Sequence, residues 1–339
     1  LRGRVRLSVR GLSQPPLSVS NAILGSLSGV IVRTVLGDID PGALGPTYMH
    51  EHLIIDSPMV EDRLPEIHLP SVNEASAEVE RLRQAGLGAA VDAMPGAAGR
   101  DVVRLAQVSE RTGVHIVAAT GLHTTRYYPD FDLAVEVSEE SLAELFTAEI
   151  EDGADGAEHR TGVIKVATLG EITGRDRRVF AAAAEAHLRT GAPILTHCEA
   201  GLGGVEQVEL LGDLGVALDR VALSHTDKVL DIAYHRDLLT SGVNVVYDQA
   251  LRQPSQEEKG TAWLLAEMID ASHGDRLMLG TDGARRSMWA TLGGSPGLDW
   301  LLTEFTTALE GRGIDRAMRS RLFVTNPARF LSFDPPRAS

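Results

Sequence analysis

Eight short apolar runs, each followed by a segment of helical period, constrain this chain most. The runs are Thr47 to Ile55, Leu87 to Asp92, Val114 to Thr120, Gly162 to Ala167, Pro193 to His197, Val221 to His225, Val243 to Tyr247 and Arg276 to Thr281. Helices are expected over Val72 to Ala85, Gly99 to Thr112, Ser138 to Asp152, Arg175 to Thr190, Val205 to Leu214, Asp231 to Ser241, Glu257 to Ala271 and Leu298 to Glu310. Several of these end on a glycine just past the last apolar position, as at Gly86, Gly113, Gly191, Gly215 and Gly242, where a left-handed cap needs one. Strand and helix in strict alternation make a parallel sheet of the α/β class. Eight units over ~250 residues fit a (β/α)8 TIM barrel. A doubly wound open sheet is the alternative, but no GxGxxG follows the first strand.

A barrel over residues 29–333 accounts for most of the 339 residues, as a single domain. Val30 to Leu36 followed by Gly37 to Gly42 reads as a strand and turn, a hairpin closing one barrel end. Residues 1–28 are rich in Arg, Ser and Leu without a continuous apolar core, and are expected to form an extension outside the fold, a poor secretion signal. Residues 334–339 form a short tail, preceded by a terminal helix with Asn326 as its cap and Pro327 at its first position. A formal charge of −15 argues against nucleic acid, whose phosphates need clustered Lys and Arg. No apolar run reaches the roughly 20 residues of a membrane span. The single cysteine, Cys198, excludes an internal disulfide framework and fits a cytoplasmic location.

Reactive groups of such a barrel sit at the C-terminal ends of its strands. The first strand carries His50-Glu51-His52, and residues two apart on a strand face one side, so the two imidazoles share a space while Tyr48, Met49 and Glu51 point elsewhere. Alone, the pair reads equally as two hydrogen-bonded core histidines or as metal ligands. Four later strands end on Lys165, His197, His225 and Asp282. Lys165 to His197 is 32 residues and His197 to His225 is 28, each close to one β-α unit. The candidates therefore fall on strands one, four, five, six and eight, and closure brings strand eight beside strand one. Imidazole and carboxylate ligands around an open position suit a catalytic divalent metal, and two such groups suit a pair of metals. An ammonium cannot ligate, but a neutral, buried Lys165 could take up carbon dioxide to give a carbamate whose two oxygens bridge two cations. Asp282 would be placed to move a proton to the leaving group.

These residues, with Gly45-Pro46-Thr47-Tyr48-Met49-His50-Glu51-His52, Ala119-Thr120-Gly121-Leu122, Leu223-Ser224-His225-Thr226-Asp227-Lys228 and Asn326-Pro327-Ala328-Arg329, resemble the phosphotriesterase family of the amidohydrolase superfamily from about Val30 to Phe330. The resemblance implies that His50, His52 and Asp282 hold the more buried metal, that His197 and His225 hold the more exposed one, and that carboxylated Lys165 bridges them. It implies zinc, with iron, cobalt or manganese as alternatives, a homodimer, and hydrolysis of lactones or organophosphate triesters.

The loops after the strands must choose the substrate. Arg252, Arg285, Arg286 and Lys228 gather cations at one barrel mouth of an acidic chain, which points to an anionic small molecule such as a sugar or phosphorylated lactone. Taken singly, each reads better as an ordinary ion-paired loop residue. At 4% aromatic content the chain is poorly supplied for a neutral triester pocket. A lactonase is therefore the expected activity; the alternatives are a triesterase, an amide-ring hydrolase or deaminase, and a barrel that keeps its metals without catalysis. His123, Tyr127 and Tyr128 follow strand three and could line the pocket, though loop packing is the expected role of each, and Cys198 has no evident partner for nucleophilic work. Asp92 reads equally as a structural or a functional group, whereas His68, His115, His159, His187, His235 and His273 read as structural.

Overall fold

The computed structural model describes residues 29–253 and 258–333, so the expected extension 1–28 and tail 334–339 lie outside the described residues. Its eight parallel strands pair in chain order: β1 (Thr47–Glu51), β2 (Ala89–Asp92), β3 (His115–Gly121), β4 (Val163–Thr168), β5 (Ile194–Cys198), β6 (Val221–Ser224), β7 (Asn244–Tyr247) and β8 (Leu277–Leu279). The sheet is nearly closed. Where β8 meets β1, the Asp282 N–H donates to the His50 carbonyl at 2.9 Å. Gly280 makes that approach possible, because a Cβ there would meet the His50 backbone nitrogen at 2.8 Å.

Alternation sorts the strand residues into two layers. Ala89, Val91, Val117, Val163, Leu195, Ala222, Val246 and Met278 fill the barrel interior, while Ile116, Ile164, Ile194, Leu223 and Val245 face the surrounding helices. A hairpin of Val32–Thr34 and Gly37–Ile39 adds Val32 to the interior layer, joined there by Leu44, Phe330 and Leu331, so the N-terminal end is plugged by apolar side chains as expected.

The first strand departs from simple alternation. Tyr48 pairs with Ala90 and Glu51 with Asp92, so β1 carries one extra residue, a bulge. Met49, expected to point away from the histidines, packs in the barrel interior, and the extra residue turns His50 inward after it. The strand also stops at Glu51 rather than Ile55. The Asp92 carboxylate takes the N–H of Leu53 at 2.7 Å, and Ile55 forms an antiparallel bridge to Leu69. Asp92 thus has a structural task.

Helix boundaries follow local chemistry. The helix expected from Gly99 begins at Val102 because the Asp101 carboxylate accepts the Arg104 N–H at 2.9 Å. Gly113 and Gly191 close their helices in the left-handed conformation, at φ of 72° and 80°. The helix expected over Glu257 to Ala271 runs Thr261–Asp270, and residue 257 lies outside the described residues. The one expected over Leu298 to Glu310 is a 3-10 turn, Leu298–Leu301, followed by Glu304–Gly311. Asn326 is not a cap. A π-turn, Arg321–Thr325, leads into Asn326–Leu331 without a break, and the Asn326 amide donates to the carbonyls of Gly274 and Leu277, tying this helix to β8.

Candidate metal centre

All six candidate ligands converge at the C-terminal end of the barrel. Lys165, the third residue of β4, alternates into the interior and is fully buried. Its Nζ lies 3.5 Å from His50 Nε2 and donates long contacts to Ser224 Oγ at 3.4 Å and the Thr196 carbonyl at 3.5 Å. Among the described residues it forms no ion pair. Burial therefore brings this amine down to about 8, against the opposing pull of Asp248 and Asp282.

His52 Nε2 stands 3.4 Å and His50 Nε2 3.9 Å from Asp282 Oδ1. On the other side His225 Nε2 and His197 Nδ1 face each other at 2.8 Å, and His225 Nδ1 is 3.9 Å from Asp282 Oδ2. His50, His225 and Asp282 offer ligand atoms all within 4.8 Å of one another. Two of the candidate ligands are placed by backbone that few side chains adopt. His225 has φ of 68° and Asp282 of 47°, both left-handed; the first directly follows β6 and the second stands three residues beyond the end of β8.

Several neighbours are visible only in the folded chain. Asp248, just past β7, accepts from His50 Nδ1 at 2.8 Å on one oxygen and from His225 Nδ1 at 2.9 Å on the other. Asp227 in turn accepts the N–H groups of Asp248 and Gln249 and the Thr261 hydroxyl. Burial and the nearby Asp248 push it up to about 7. Glu199 sits 2.8 Å from His197 Nε2. Glu51 takes the Thr281 N–H at 2.7 Å and the Gly283 N–H at 3.3 Å, spanning Asp282, and burial pushes its carboxyl up to about 8. For Asp248 a positional signal existed, since it ends a barrel strand; for Glu199 and Glu51 only adjacency to a ligand did.

This donor set fits divalent cations. It offers imidazole nitrogens and a carboxylate around a lysine that forms no ion pair, and His52 Nδ1 is buried with no hydrogen-bond partner, both among the described residues. Burial pushes His50 and His225 well below the usual imidazole range, keeping their lone pairs free. Burial opposes a charge on Asp282, but Arg252, His225, His52 and His50 hold its carboxyl well below the ordinary range.

The four expected substrate cations separate into two kinds. Arg252 donates to the Thr281 and Asp282 carbonyls and pairs with Asp282 Oδ2 at 3.0 Å. Arg286 is held by both Glu74 oxygens, at 2.9 and 3.2 Å. Arg285 and Lys228 are exposed, with no ion pair among the described residues. His123 is drawn into the centre, its ring 4.9 Å from that of His197 and 4.3 Å from that of Tyr127. His159, His187 and His235 each meet a backbone carbonyl away from it. Cys198 faces the helices, where burial pushes its thiol up to about 12, out of range for nucleophilic work.

An eight-stranded α/β barrel with this ligand cluster at its C-terminal mouth defines a metal-dependent hydrolase class. The profile of the Phosphotriesterase family matches residues 30–331, and the chain belongs to that family. It is 33% identical to the phosphotriesterase homology protein of Escherichia coli (strain K12), over 85% of this chain and 98% of that protein. It is 28% identical to a phospho-furanose lactonase of Mycoplasmopsis synoviae (strain 53), over 90% of this chain and 92% of that one. A lactonase structure from Listeria monocytogenes superposes with a TM-score of 0.83 at 27% identity, covering 89% of this chain and 98% of that one. Among the described residues no helix is long and apolar enough to cross a membrane.

Proposed function

We propose that this chain is a lactonase that opens a cyclic, anionic ester, a sugar or sugar-phosphate lactone, with two divalent metal ions. The observation that carries the reading is Lys165, a buried amine with no ion pair among the described residues, ringed by His50, His52, His197, His225 and Asp282. In the assignment offered, His50, His52 and Asp282 hold one ion and His197 and His225 the other, with zinc as the metal. Neutral Lys165 would take up carbon dioxide at Nζ with loss of one proton, and the resulting carbamate would help hold both ions. When bound, the two ions would polarise the ester carbonyl and lower the pKa of a bound water from about 15.7 towards about 7. Asp282, kept ionised beside Arg252, takes the proton of the attacking water and returns it to the leaving alkoxide. Arg285 and Lys228 meet the substrate's anionic group at the mouth, since Arg286 is engaged by Glu74 and Arg252 by Asp282.

The lactonase names among the relatives and these two cations, without an ion pair among the described residues, support the lactone over the neutral triester. A zinc-reconstituted sample assayed by proton release against plain lactones, sugar-phosphate lactones and a chromogenic triester tests it. The highest kcat/KM is expected on the anionic lactones. Turnover of the triester above every lactone, or equal rates with and without metal, would overturn it.

A further inference from the structure

The histidines assigned to different ions in the reading above are not independent. His50 comes from β1 and His225 from the end of β6, yet their rings lie 4.8 Å apart, tilted by 31°. Both turn Nδ1 towards one carboxylate. Asp248 Oδ2 is 2.8 Å from the first and Oδ1 2.9 Å from the second, and its side chain is wholly buried. An ionised carboxylate only accepts hydrogen bonds, so each Nδ1 carries the proton and each Nε2 keeps its lone pair. Those two Nε2 atoms point at Lys165 and at His197, the inner and outer halves of the cluster. Asp248 cannot shift alone, because Asp227 holds its backbone N–H and Gln249 Nε2 donates to its Oδ1 at 2.7 Å.

We infer that Asp248 is a positioning residue for both metal sites at once: a single carboxylate sets the tautomer and ring angle of one ligand of each ion, and so couples their binding. The inference rests on the two-ion reading of the site. It makes Asp248 the link through which loss of one ion loosens the other. A ligand ring that turns drags the shared carboxylate, and with it the second ring. Carboxylates that orient ligating histidines generally act on one ring, and their loss costs about 10- to 100-fold in metal affinity. Here the same loss should fall on two sites.

Asp248→Asn tests this with little change of volume. The amide nitrogen donates where the oxygen accepted, so it drives the proton of one ring from Nδ1 to Nε2, the atom that must ligate. Two readouts are taken on the full chain: zinc content per chain against a competing chelator, and the nitrogen-15 shifts of His50 and His225 in the metal-free protein. Wild type is expected to hold two zinc ions that leave together, with both rings protonated on Nδ1. The variant should bind zinc about 10- to 100-fold more weakly in two separated steps, with one ring switched to Nε2. Asp248→Ala should weaken both steps by at least as much. Wild-type zinc affinity in the variant, with both tautomers unchanged, would overturn the coupling alone. A wild type that binds no zinc would overturn the two-ion reading and the coupling with it.

Discussion

The two ends of the barrel are built on opposite terms. At the N-terminal end, Val32, Leu44, Phe330 and Leu331 close the interior with apolar contact, and Arg220 and Asn326 donate to backbone carbonyls. At the C-terminal end a lysine is buried with no ion pair among the described residues, the candidate ligands His225 and Asp282 sit in left-handed backbone, and His52 Nδ1 has no partner among the described residues. Each of these mouth features opposes stability, since strained backbone and unpaired buried groups carry a cost. The far end offsets them. The contrast locates function where the chain tolerates what a core would exclude.

Substitutions at the two ends should separate cleanly. Asp282→Asn is expected to lower kcat about 10²- to 10⁴-fold, in line with loss of a positioned proton carrier. Steady-state rates with zinc content measured alongside would show it, and unchanged turnover would remove Asp282 from the proton path. At the other end Phe330→Ala should cost about 3–5 kcal/mol of stability through the cavity it leaves, while kcat and bound metal stay level. Denaturant melts and assays on one preparation decide whether the plug is as separate from the site as the comparison requires.

A smaller effect tests the buried amine. Folded Lys165 releases its proton at about 8 against 10.5 for the free side chain, so between those values the unfolded chain binds more protons and stability rises with pH. The penalty is full below pH 8 and gone above 10.5, on the order of 3 kcal/mol. Lys165→Met should remove that part of the slope from metal-free, carbon dioxide-depleted protein; an unchanged slope in chemical melts would mean the amine is not penalised. The smallest effect concerns the mouth. Arg285→Ala is expected to raise KM for an anionic lactone several-fold and to leave a neutral lactone alone, whereas Arg286→Ala, which breaks a half-exposed pair with Glu74, should change either KM and stability little. Equal responses from the two arginines would show that pairing with Glu74 does not decide which cation meets the substrate.

Much of the site was legible before the fold. The intervals from Lys165 to His197 and to His225 match one β-α unit each, so strand ends could be lined up by counting. The bulge was not legible. Met49 and His50 are both apt for an interior, and only the pairing of Tyr48 with Ala90 and Glu51 with Asp92 shows that an extra residue turns the second inward. Nor was Asn326, whose side chain suits a cap but serves β8 instead. Arg252 and Arg286 look alike in sequence; their partners, Asp282 and Glu74, are 30 and 212 residues away.

By itself the sequence determined the eightfold alternation and which six side chains at its strand ends are candidates for a metal, because period and residue type are local properties of the chain. Tertiary structure decided the aim of those side chains, the partnering of the arginines and the sharing of Asp248 by His50 and His225. Those depend on distances between atoms far apart along the chain, which exist only once the barrel has closed.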